Sequence, residues 1–567
     1  MVYSFSANNT GSKFLDIEFV VENINEKEFD VQLPAWRPGR YELANFAKNI
    51  QKFNVLTLSN KRIKFEKITK DRWRIYCGNT KKIRIIYNYY ANELNAGSTW
   101  VDENQIYVNP VNCCLYVVGR EHESIQLNFD NSTHHQTAIG LPKKKGYHVA
   151  ENFDQLADSP FILSNGLQYN SYHVKGVKFN LWFQGECRPP WKKLLRDFKK
   201  FTAEQWKVFG DFPFEEYHFI YQIRPFKAYH GVEHKNNSVI SFGPGYSVFE
   251  GENYEEFLGI SSHELFHAWN VKTIRPDDMV PYDFTKENYT KMGYLTEGFT
   301  TYYGDLLLKR SGVFSTERYF TEIKKIINRH FLNYGTQNLS VAESSFDTWL
   351  DGYEVGIPNR KSSIYIEGCL LAMLLDLTIR NKSKHKKSLD DIMQILFEEY
   401  ALKGIGVSEV NLKNEIKKLI GNELNKLWDN FFHGTNDIYL SLKKQLKLLG
   451  IDLSKKRNTK ALATNYGIFV DSKSSNILFV APNSPAEKAG INPGDSIIAL
   501  NSIEIKMDDA DEWAKYFSNS GHIYLTLKKD GIINEIKLNP SSKLFFPKVK
   551  LALLEPSSEL KKWLKTH

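Results

Sequence analysis

The first 170 residues are dominated by an alternation of apolar and polar positions. Apolar side chains occupy every second position in Leu15–Val21 and again in Ile83–Tyr89. A period of two is typical of strands that bury one face. Turn-forming residues separate such runs, as in Trp36–Arg40 and Asp130–Ser132. We therefore predict an antiparallel β-sandwich domain over residues 1–170.

From about residue 190 to 445 the pattern becomes mainly helical. Between Trp191 and Phe201 the apolar residues recur every three or four positions and lysines fill the opposite side. Two short alternating runs, Tyr217–Ile223 and Ser238–Phe242, predict strands within this region. We assign residues 171–450 to a second, mainly helical domain.

The pattern changes once more near residue 460, to short strands, Gly and Pro turns and one short helix. This predicts a third domain over residues 455–545 and a C-terminal tail over residues 546–567. In the tail, residues 557–565 predict a helix that docks Leu560, Trp563 and Leu564 onto the protein. The fold class is therefore multidomain α+β.

Composition narrows the class of protein. The 567 residues carry 74 basic and 66 acidic side chains, interspersed along most of the chain, so no basic stripe indicates nucleic-acid binding. The five cysteines form no Cys-x-x-Cys pair, so we expect them to be reduced. No run of about 18 apolar residues predicts a membrane span, and residues 1–19 lack a secretory pattern, so we expect a cytoplasmic protein.

The strongest chemical signal is His263-Glu264-Leu265-Phe266-His267. Residues four apart in a helix lie one turn apart on the same face, so His263 and His267 can hold one metal ion between them. Glu264 lies beside them, where a carboxylate that is not a ligand can accept a proton from water. The alternative is a chance pentapeptide on a charged helix.

A hydrolytic zinc site needs a third protein ligand and one open position. Glu297 is the candidate, because its segment, residues 293–305, is rich in apolar and aromatic residues that predict a buried helix. A buried carboxylate is costly unless a cation compensates it. The alternative is a glutamate near the positive end of a helix dipole.

Two segments resemble the glycyl aminopeptidase family of gluzincin metallopeptidases. They are residues 263–276 (HELFHAWNVKTIRP) and residues 296–305 (TEGFTTYYGD). Residues 33–41 (LPAWRPGRY) resemble the N-terminal signature of that family. The resemblance implies an N-terminal β domain, a thermolysin-like catalytic domain and a C-terminal PDZ domain. It also implies that His263, His267 and Glu297 bind one Zn²⁺ per chain, with Glu264 as the general base.

Two further segments gain a meaning from this resemblance. Gly231-Val232-Glu233-His234 is similar to the family's Gly-Gly-Leu-Glu-His segment, which implies that Glu233 binds the α-amine of the substrate and that Gly231 and His234 belong to the same site. Residues 362–368 resemble the Tyr-x-Lys-Gly segment of gluzincin aminopeptidases. Tyr365 takes the position that donates a hydrogen bond to the oxyanion, whereas Ile364 and Glu367 depart from the pattern.

The C-terminal segment, with Ser484–Ile491 followed by Pro493–Asn501, resembles a PDZ domain of the protease-associated kind. In such a domain Tyr466–Phe469 is the loop that receives a peptide carboxylate. The alternative is a PDZ domain that only packs against the catalytic domain.

The resemblance implies a zinc aminopeptidase that acts on peptides with a free N-terminus and prefers small N-terminal residues, glycine or alanine. One rival is an endopeptidase with the same metal site and PDZ-recruited substrates. Another is a non-catalytic peptide-binding protein with a vestigial metal site. Nucleic acid and membranes are not expected as partners.

Overall fold

The computed structural model describes residues 1–129, 136–352, 356–471, 474–506, 509–517 and 521–565. The turn predicted at Asp130–Ser132 lies outside these residues. The chain forms an N-terminal β-rich domain, a mainly helical middle domain and a small C-terminal β domain, as predicted. Each domain has its own apolar core.

The N-terminal domain contains fifteen described strands and two short helices. The strands are β1 (Val2–Ser6), β2 (Phe14–Val21), β3 (Phe29–Gln32), β4 (Ile50–Thr57), β5 (Lys64–Thr69), β6 (Arg72–Tyr76), β7 (Ile83–Tyr90), β8 (Trp100–Val101), β9 (Gln105–Val108), β10 (Tyr116–Val117), β11 (Ile125–Phe129), β12 (Gln136–Ile139), β13 (Lys143–Lys144), β14 (Tyr147–Ala150) and β15 (Phe161–Ser164). The helices are α1 (Pro110–Cys113) and α2 (Phe153–Ala157).

These strands form one seven-stranded sheet, ordered β13-β14-β11-β1-β2-β7-β4, and two four-stranded sheets, β10-β3-β6-β5 and β12-β15-β9-β8. The alternation in β2 buries Leu15, Ile17 and Phe19 as the sequence predicts. One pairing departs from the predicted antiparallel arrangement, because β1 runs parallel to β11. A parallel pair needs a long crossover, and about 120 residues separate these two strands.

The middle domain begins with a five-stranded sheet in the order β16-β17-β18-β20-β19. Its strands are β16 (Gln168–Val174), β17 (Val177–Gln184), β18 (Glu216–Ile223), β19 (Ala228–Glu233) and β20 (Asn237–Gly243). The β17-β18-β20 pairs are parallel, and the outer strand β19 runs antiparallel to β20. Strand β19 contacts the helix that carries His263.

The helices of this domain surround one central helix. They are α3 (Trp191–Phe209), α4 (Gly251–Phe266), α5 (Thr300–Arg310), α6 (Thr316–His330), α7 (Val341–Phe346), α8 (Thr348–Asp351), α9 (Ile364–Lys382), α10 (Leu389–Ile395), α11 (Glu409–Ile420), α12 (Glu423–Leu427) and α13 (Tyr439–Leu448). A wide, π-helical turn at Tyr294–Phe299 leads directly into α5. Helix α9 is apolar along most of its length and is buried on all sides, so it forms the centre of the core.

The C-terminal region consists of β21 (Ile451–Lys456), β22 (Ile468–Val470), β23 (Ile477–Val480), α14 (Pro485–Lys488), β24 (Ser496–Leu500), β25 (Ile503–Glu504), α15 (Ala510–Tyr516), β26 (Ile523–Lys529), β27 (Ile532–Leu538), β28 (Lys548–Leu553) and α16 (Ser558–Leu564). Strand β21 pairs with β28, so the two ends of the small β domain meet in one antiparallel ribbon.

The C-terminal region packs against the middle domain at several places. The ring of Phe546 lies 5.5 Å from that of Tyr334 and 5.9 Å from that of Phe469 in β22. The terminal helix α16 buries Trp563, whose indole nitrogen donates to the hydroxyl of Tyr302 at 3.0 Å. Helix α16 therefore docks onto the body of the protein, as expected from its sequence.

The N-terminal and middle domains share an apolar cluster that includes Tyr107, Ile162, Val232 and Val239. All five cysteines are buried and unpaired. Among the described helices, none combines the length and the apolar character that crossing a membrane requires.

Candidate metal centre and substrate cleft

Helix α4 brings the two histidines together as the His-Glu-x-x-His spacing predicts. His263 lies in its last turn and His267 immediately follows it. The two Nε2 atoms are 3.0 Å apart, and their rings are nearly perpendicular. Helix α5 lies close behind them, since a Cβ on Gly304 would lie only 3.4 Å from Cα of His263.

Glu297 completes a group of three candidate ligands. Its Oε2 lies 3.5 Å from Nε2 of His267 and 3.8 Å from Nε2 of His263. Two ligand atoms about 2.0–2.1 Å from a tetrahedral Zn²⁺ are about 3.3 Å apart. The three separations span this value, so two imidazoles and one carboxylate face a common centre that fits a zinc ion.

The π-helical turn and a pair of glycines determine where Glu297 lies. Gly298 faces Gly368 of α9 in direct backbone contact, and a Cβ on Gly368 would lie 2.7 Å from Cα of Gly298. This close approach also brings Tyr365, one turn earlier in α9, into the cleft beside Glu297. Burial raises the pKa of Glu297, and Tyr365 opposes this shift. π-Helical turns of this kind are frequent at functional sites.

The turn after α4 orients His267. Nδ1 of His267 lies 2.8 Å from the carbonyl oxygen of Asn270. A carbonyl only accepts, so Nδ1 carries the proton and Nε2 is left for the metal. The next residue, Val271, has a φ of 112°, which is unfavourable for a β-branched side chain. Val271 lies in a tight turn, in which the backbone N–H of Lys272 donates to the carbonyl of His267 at 3.1 Å.

Glu264 is held beside the three candidate ligands without joining them. Its carboxylate packs against Gly231 of β19, and a Cβ on that glycine would lie 2.5 Å from Cδ of Glu264. The Oε2 atom of Glu264 is buried and has no hydrogen-bond partner among the described residues. A buried, unsatisfied carboxylate oxygen is costly unless a substrate or water meets it.

Glu233 lies at the end of β19, and it is brought to the same centre. Oxygen atoms of Glu233 and Glu264 and a ring nitrogen of His267 all lie within 4.8 Å of one another. His234, which the family resemblance assigns to the same site, is not among the residues that line the cleft. Its Nδ1 lies 2.9 Å from Oδ1 of Asp158 in the N-terminal domain, and the ring is buried there. Successive residues of a strand point to opposite faces, which separates His234 from Glu233.

The charges at this centre strongly perturb one another. Burial raises the pKa of Glu264 to about 8, and the carboxylates of Glu233 and Glu297 add to the shift. Burial disfavours a charged His267, but its hydrogen bond and ion pair with Glu297 outweigh burial and raise its pKa to about 9. Burial and the neighbouring His267 lower the pKa of His263. A metal ligand must be deprotonated, so binding of a cation would displace the His267 proton.

The cleft above this centre has a volume of about 910 Å³ and is lined by both of the first two domains. The N-terminal domain contributes Arg37, Gly39, Arg40 and Asn95. Burial, with the positive charges of Arg37 and Arg40, lowers the pKa of His230 in this wall to about 4.

Sequence reasoning missed the contribution of the N-terminal domain to the cleft. The available signal was the segment at residues 33–41, which resembles the family signature but gave no role for any of its residues. The sequence also offered no reason to assign Asn270 a role at the metal centre. Its backbone carbonyl, and not its side chain, contacts His267.

A His-Glu-x-x-His helix whose imidazoles meet a glutamate of the following helix defines the gluzincin class of metallopeptidase sites. Comparison with known families agrees. The Peptidase M61 N-terminal domain matches residues 2–165, the M61 glycyl aminopeptidase matches residues 256–371, and a PDZ domain matches residues 477–529. The resemblance to the glycyl aminopeptidase family with a C-terminal PDZ domain is thereby confirmed, and it supports a metal-dependent aminopeptidase.

Two solved structures are similar to the chain to different extents. The aminopeptidase N family protein from Idiomarina loihiensis has a TM-score of 0.92 at 24% identity, with 99% of both chains covered. The M1 zinc metallopeptidase from Deinococcus radiodurans has a TM-score of 0.48 at 13% identity, covering 77% of this chain and 94% of that one. Among curated proteins no match to the chain is found. The Idiomarina structure establishes the fold over the whole chain.

Proposed function

We propose that this protein is a zinc aminopeptidase that removes small N-terminal residues, glycine or alanine, from peptides. One Zn²⁺ per chain would be held by His263, His267 and Glu297. When bound, zinc supplies Lewis acidity, which polarises a carbonyl and lowers the pKa of a water molecule.

The residues around this centre have separate roles in hydrolysis. Glu264 would accept a proton from the attacking water and pass it to the leaving nitrogen, because its Oε2 is buried beside the candidate ligands with no partner among the described residues. The charge of a bound Zn²⁺ would favour its ionised form, and the raised pKa that burial gives it lets it hold the proton once accepted. Tyr365 lines the cleft together with Glu297 and would donate a hydrogen bond to the developing oxyanion. Gly231 leaves the space that the Glu264 carboxylate needs.

One observation supports an aminopeptidase over an endopeptidase. The Glu233 carboxylate lies within 4.8 Å of the Glu264 and His267 atoms that face the reacting centre. A carboxylate there would pair with the α-ammonium of the first residue and disfavour a longer chain on that side. The small-residue preference is supported by the family resemblance alone.

The test compares an alanyl peptide with its N-acetylated form, using the wild-type protein and Glu233→Gln. The wild type should cleave the free peptide at least about 100-fold better, because acetylation removes the ammonium that Glu233 binds. In Glu233→Gln the advantage should shrink to about tenfold or less. Equal cleavage of both peptides by the wild type would favour the endopeptidase instead.

The PDZ domain is proposed to bind the C-terminus of a peptide at the Tyr466–Phe469 loop. The ring of Phe469 also packs against Phe546, which in turn contacts Tyr334 of the middle domain. The PDZ domain therefore docks on the middle domain as well, and peptide binding is proposed in addition to this docking. Titration of the whole protein with a fluorescent peptide, carrying either a free or an amidated C-terminus, measures whether the carboxylate is required.

A further inference from the structure

The turn Trp36–Arg40 of the N-terminal domain is fixed firmly at the edge of the cleft. Trp36 is fully buried, and its indole nitrogen donates to the carbonyl of Asp283 at 2.7 Å. Its ring meets those of Tyr282 and Trp349 edge-on, at 5.6 and 5.2 Å. Both partners come from the middle domain, so the turn is anchored across the domain boundary.

Within this turn, Gly39 touches the Glu233 carboxylate. A Cβ on Gly39 would lie 2.5 and 2.6 Å from the two oxygens of Glu233, so the carboxylate rests flat on the glycine. Gly39 also has a φ of 80°, in the region that favours glycine. Two separate requirements, backbone conformation and space, therefore select glycine at this position.

The residues after Glu233 are held by the same domain. Oδ1 of Asp158 contacts Nδ1 of His234 at 2.9 Å, and Oδ2 accepts from the backbone N–H of Lys235 at 2.8 Å. Lys272, which is also buried, pairs with Asp158 at 2.9 Å. The end of β19 is thus fixed from one side by Gly39 and from the other by Asp158.

We propose that the N-terminal domain sets the position of the amine-binding carboxylate, with Gly39 as the positioning residue for Glu233. Recognition of a free N-terminus is then a property of the interface between two domains. The proposal rests on the proposed function, in which Glu233 binds the α-amine.

Gly39→Ala is the direct perturbation. The new Cβ and the carboxylate must move apart by about 0.9 Å to reach an ordinary contact of 3.4 Å. A charge-assisted hydrogen bond is lost over such a distance, so amine recognition should fall by at least about tenfold. The metal ligands lie on other elements and should keep their positions.

The experiment measures inhibition by glycine hydroxamate and by acetohydroxamate in the zinc-loaded protein. The two compounds carry the same metal-binding group and differ only in the amine, so the ratio of their inhibition constants reports amine recognition alone. In Gly39→Ala this ratio should fall at least about tenfold, while the constant for acetohydroxamate stays within about threefold of wild type.

Gly119→Ala is the matched control. Gly119 lies in the same domain with a φ of 85°, and a Cβ there would meet nothing within 4 Å. It therefore introduces the same backbone strain without touching Glu233, and it should keep the wild-type ratio. If Gly39→Ala does not fold, Asp158→Asn weakens the opposite contact and should lower the ratio in the same direction.

The possible results test the positioning role of Gly39 and the proposed function separately. A wild-type ratio retained in a folded Gly39→Ala, or in Asp158→Asn where that variant is the one measured, overturns the positioning role. A wild type that does not prefer glycine hydroxamate over acetohydroxamate contradicts amine binding by Glu233, and with it the proposed function.

Discussion

Replacing Gly368 by alanine tests the contact that joins Glu297 to Tyr365. Helix propensity alone predicts that Gly368→Ala stabilises α9 by about 1 kcal/mol. The structure predicts the opposite, because the new Cβ would lie 2.7 Å from Cα of Gly298 and 2.9 Å from Cα of Tyr294. Both neighbours are backbone atoms, which cannot rotate away as a side chain can.

The expected loss of stability follows from the distance by which α9 and the π-helical turn must move apart. Reaching a contact of 3.4 Å requires α9 and the π-helical turn to move apart by about 0.7 Å. Overpacking of this kind costs up to about 3 kcal/mol, so after the gain in propensity we expect a net loss of about 2 kcal/mol. Glu297 adjoins Gly298, and about 0.7 Å exceeds the tolerance of about 0.2 Å for a metal ligand.

The assay combines thermal unfolding with zinc titration and steady-state kinetics on an alanyl peptide. For Gly368→Ala we expect the melting temperature of the middle domain to fall by about 4–8 °C. Zinc should bind about 10–100-fold more weakly, and kcat/KM at saturating zinc should fall by about 100-fold.

Cys369→Ala is the control for this experiment. Cys369 is the next residue along α9 and is equally buried, but the change removes an atom from the core instead of adding one. We expect it to cost about 1 kcal/mol of stability and to keep the zinc affinity of the wild type. A Gly368→Ala variant with wild-type zinc affinity and a raised melting temperature would refute the reasoning.

Three further outcomes are expected. Glu264→Gln should lower kcat/KM by about 10²–10⁴ and keep a full equivalent of zinc in metal analysis, because Glu264 moves a proton and is not a ligand. Loss of zinc from this variant would contradict that role. Tyr365→Phe should lower kcat by about 10²–10³ with little change in KM, and an unchanged kcat would remove it from oxyanion binding. Asp158→Asn should cost at least about 2 kcal/mol at neutral pH, since Lys272 and His234 outweigh burial and lower the pKa of Asp158 to about 2.

The pH dependence of the last variant has a definite sign. The pKa of Asp158 is depressed from its ordinary 3.8, so its contribution is fully present above about pH 4 and is lost as the pH falls through 2. Denaturant unfolding of the wild type and Asp158→Asn at a series of pH values should therefore converge in acid. A difference that stays constant down to pH 2 would assign the loss to packing.

The sequence predicted those features that have a local period or a fixed spacing. The strands around Leu15 and Ile83, the helix bearing His263 and His267, and the docked Trp563 follow from side-chain periodicity, which is a property of a few neighbouring residues. Glu297 could be chosen because an apolar helix leaves a carboxylate few partners other than a metal.

Features set by contacts between distant segments could not be predicted. The parallel pairing of β1 with β11 and the contact of Gly39 with Glu233 join segments far apart in the chain. His234 was placed in the cleft through its neighbour Glu233, but strand geometry turns it towards Asp158. The π-helical turn at Tyr294–Phe299 has no sequence period of its own, and its position depends on the backbone contact with α9.

Metal analysis of the purified wild-type protein and of Glu297→Ala tests the central claim most directly. Three protein ligands predict one equivalent of zinc per wild-type chain, and removal of the third should leave a clearly substoichiometric amount after dialysis against a weak chelator. A wild type that binds no zinc when it is supplied, or a Glu297→Ala variant that retains a full equivalent, would contradict the account.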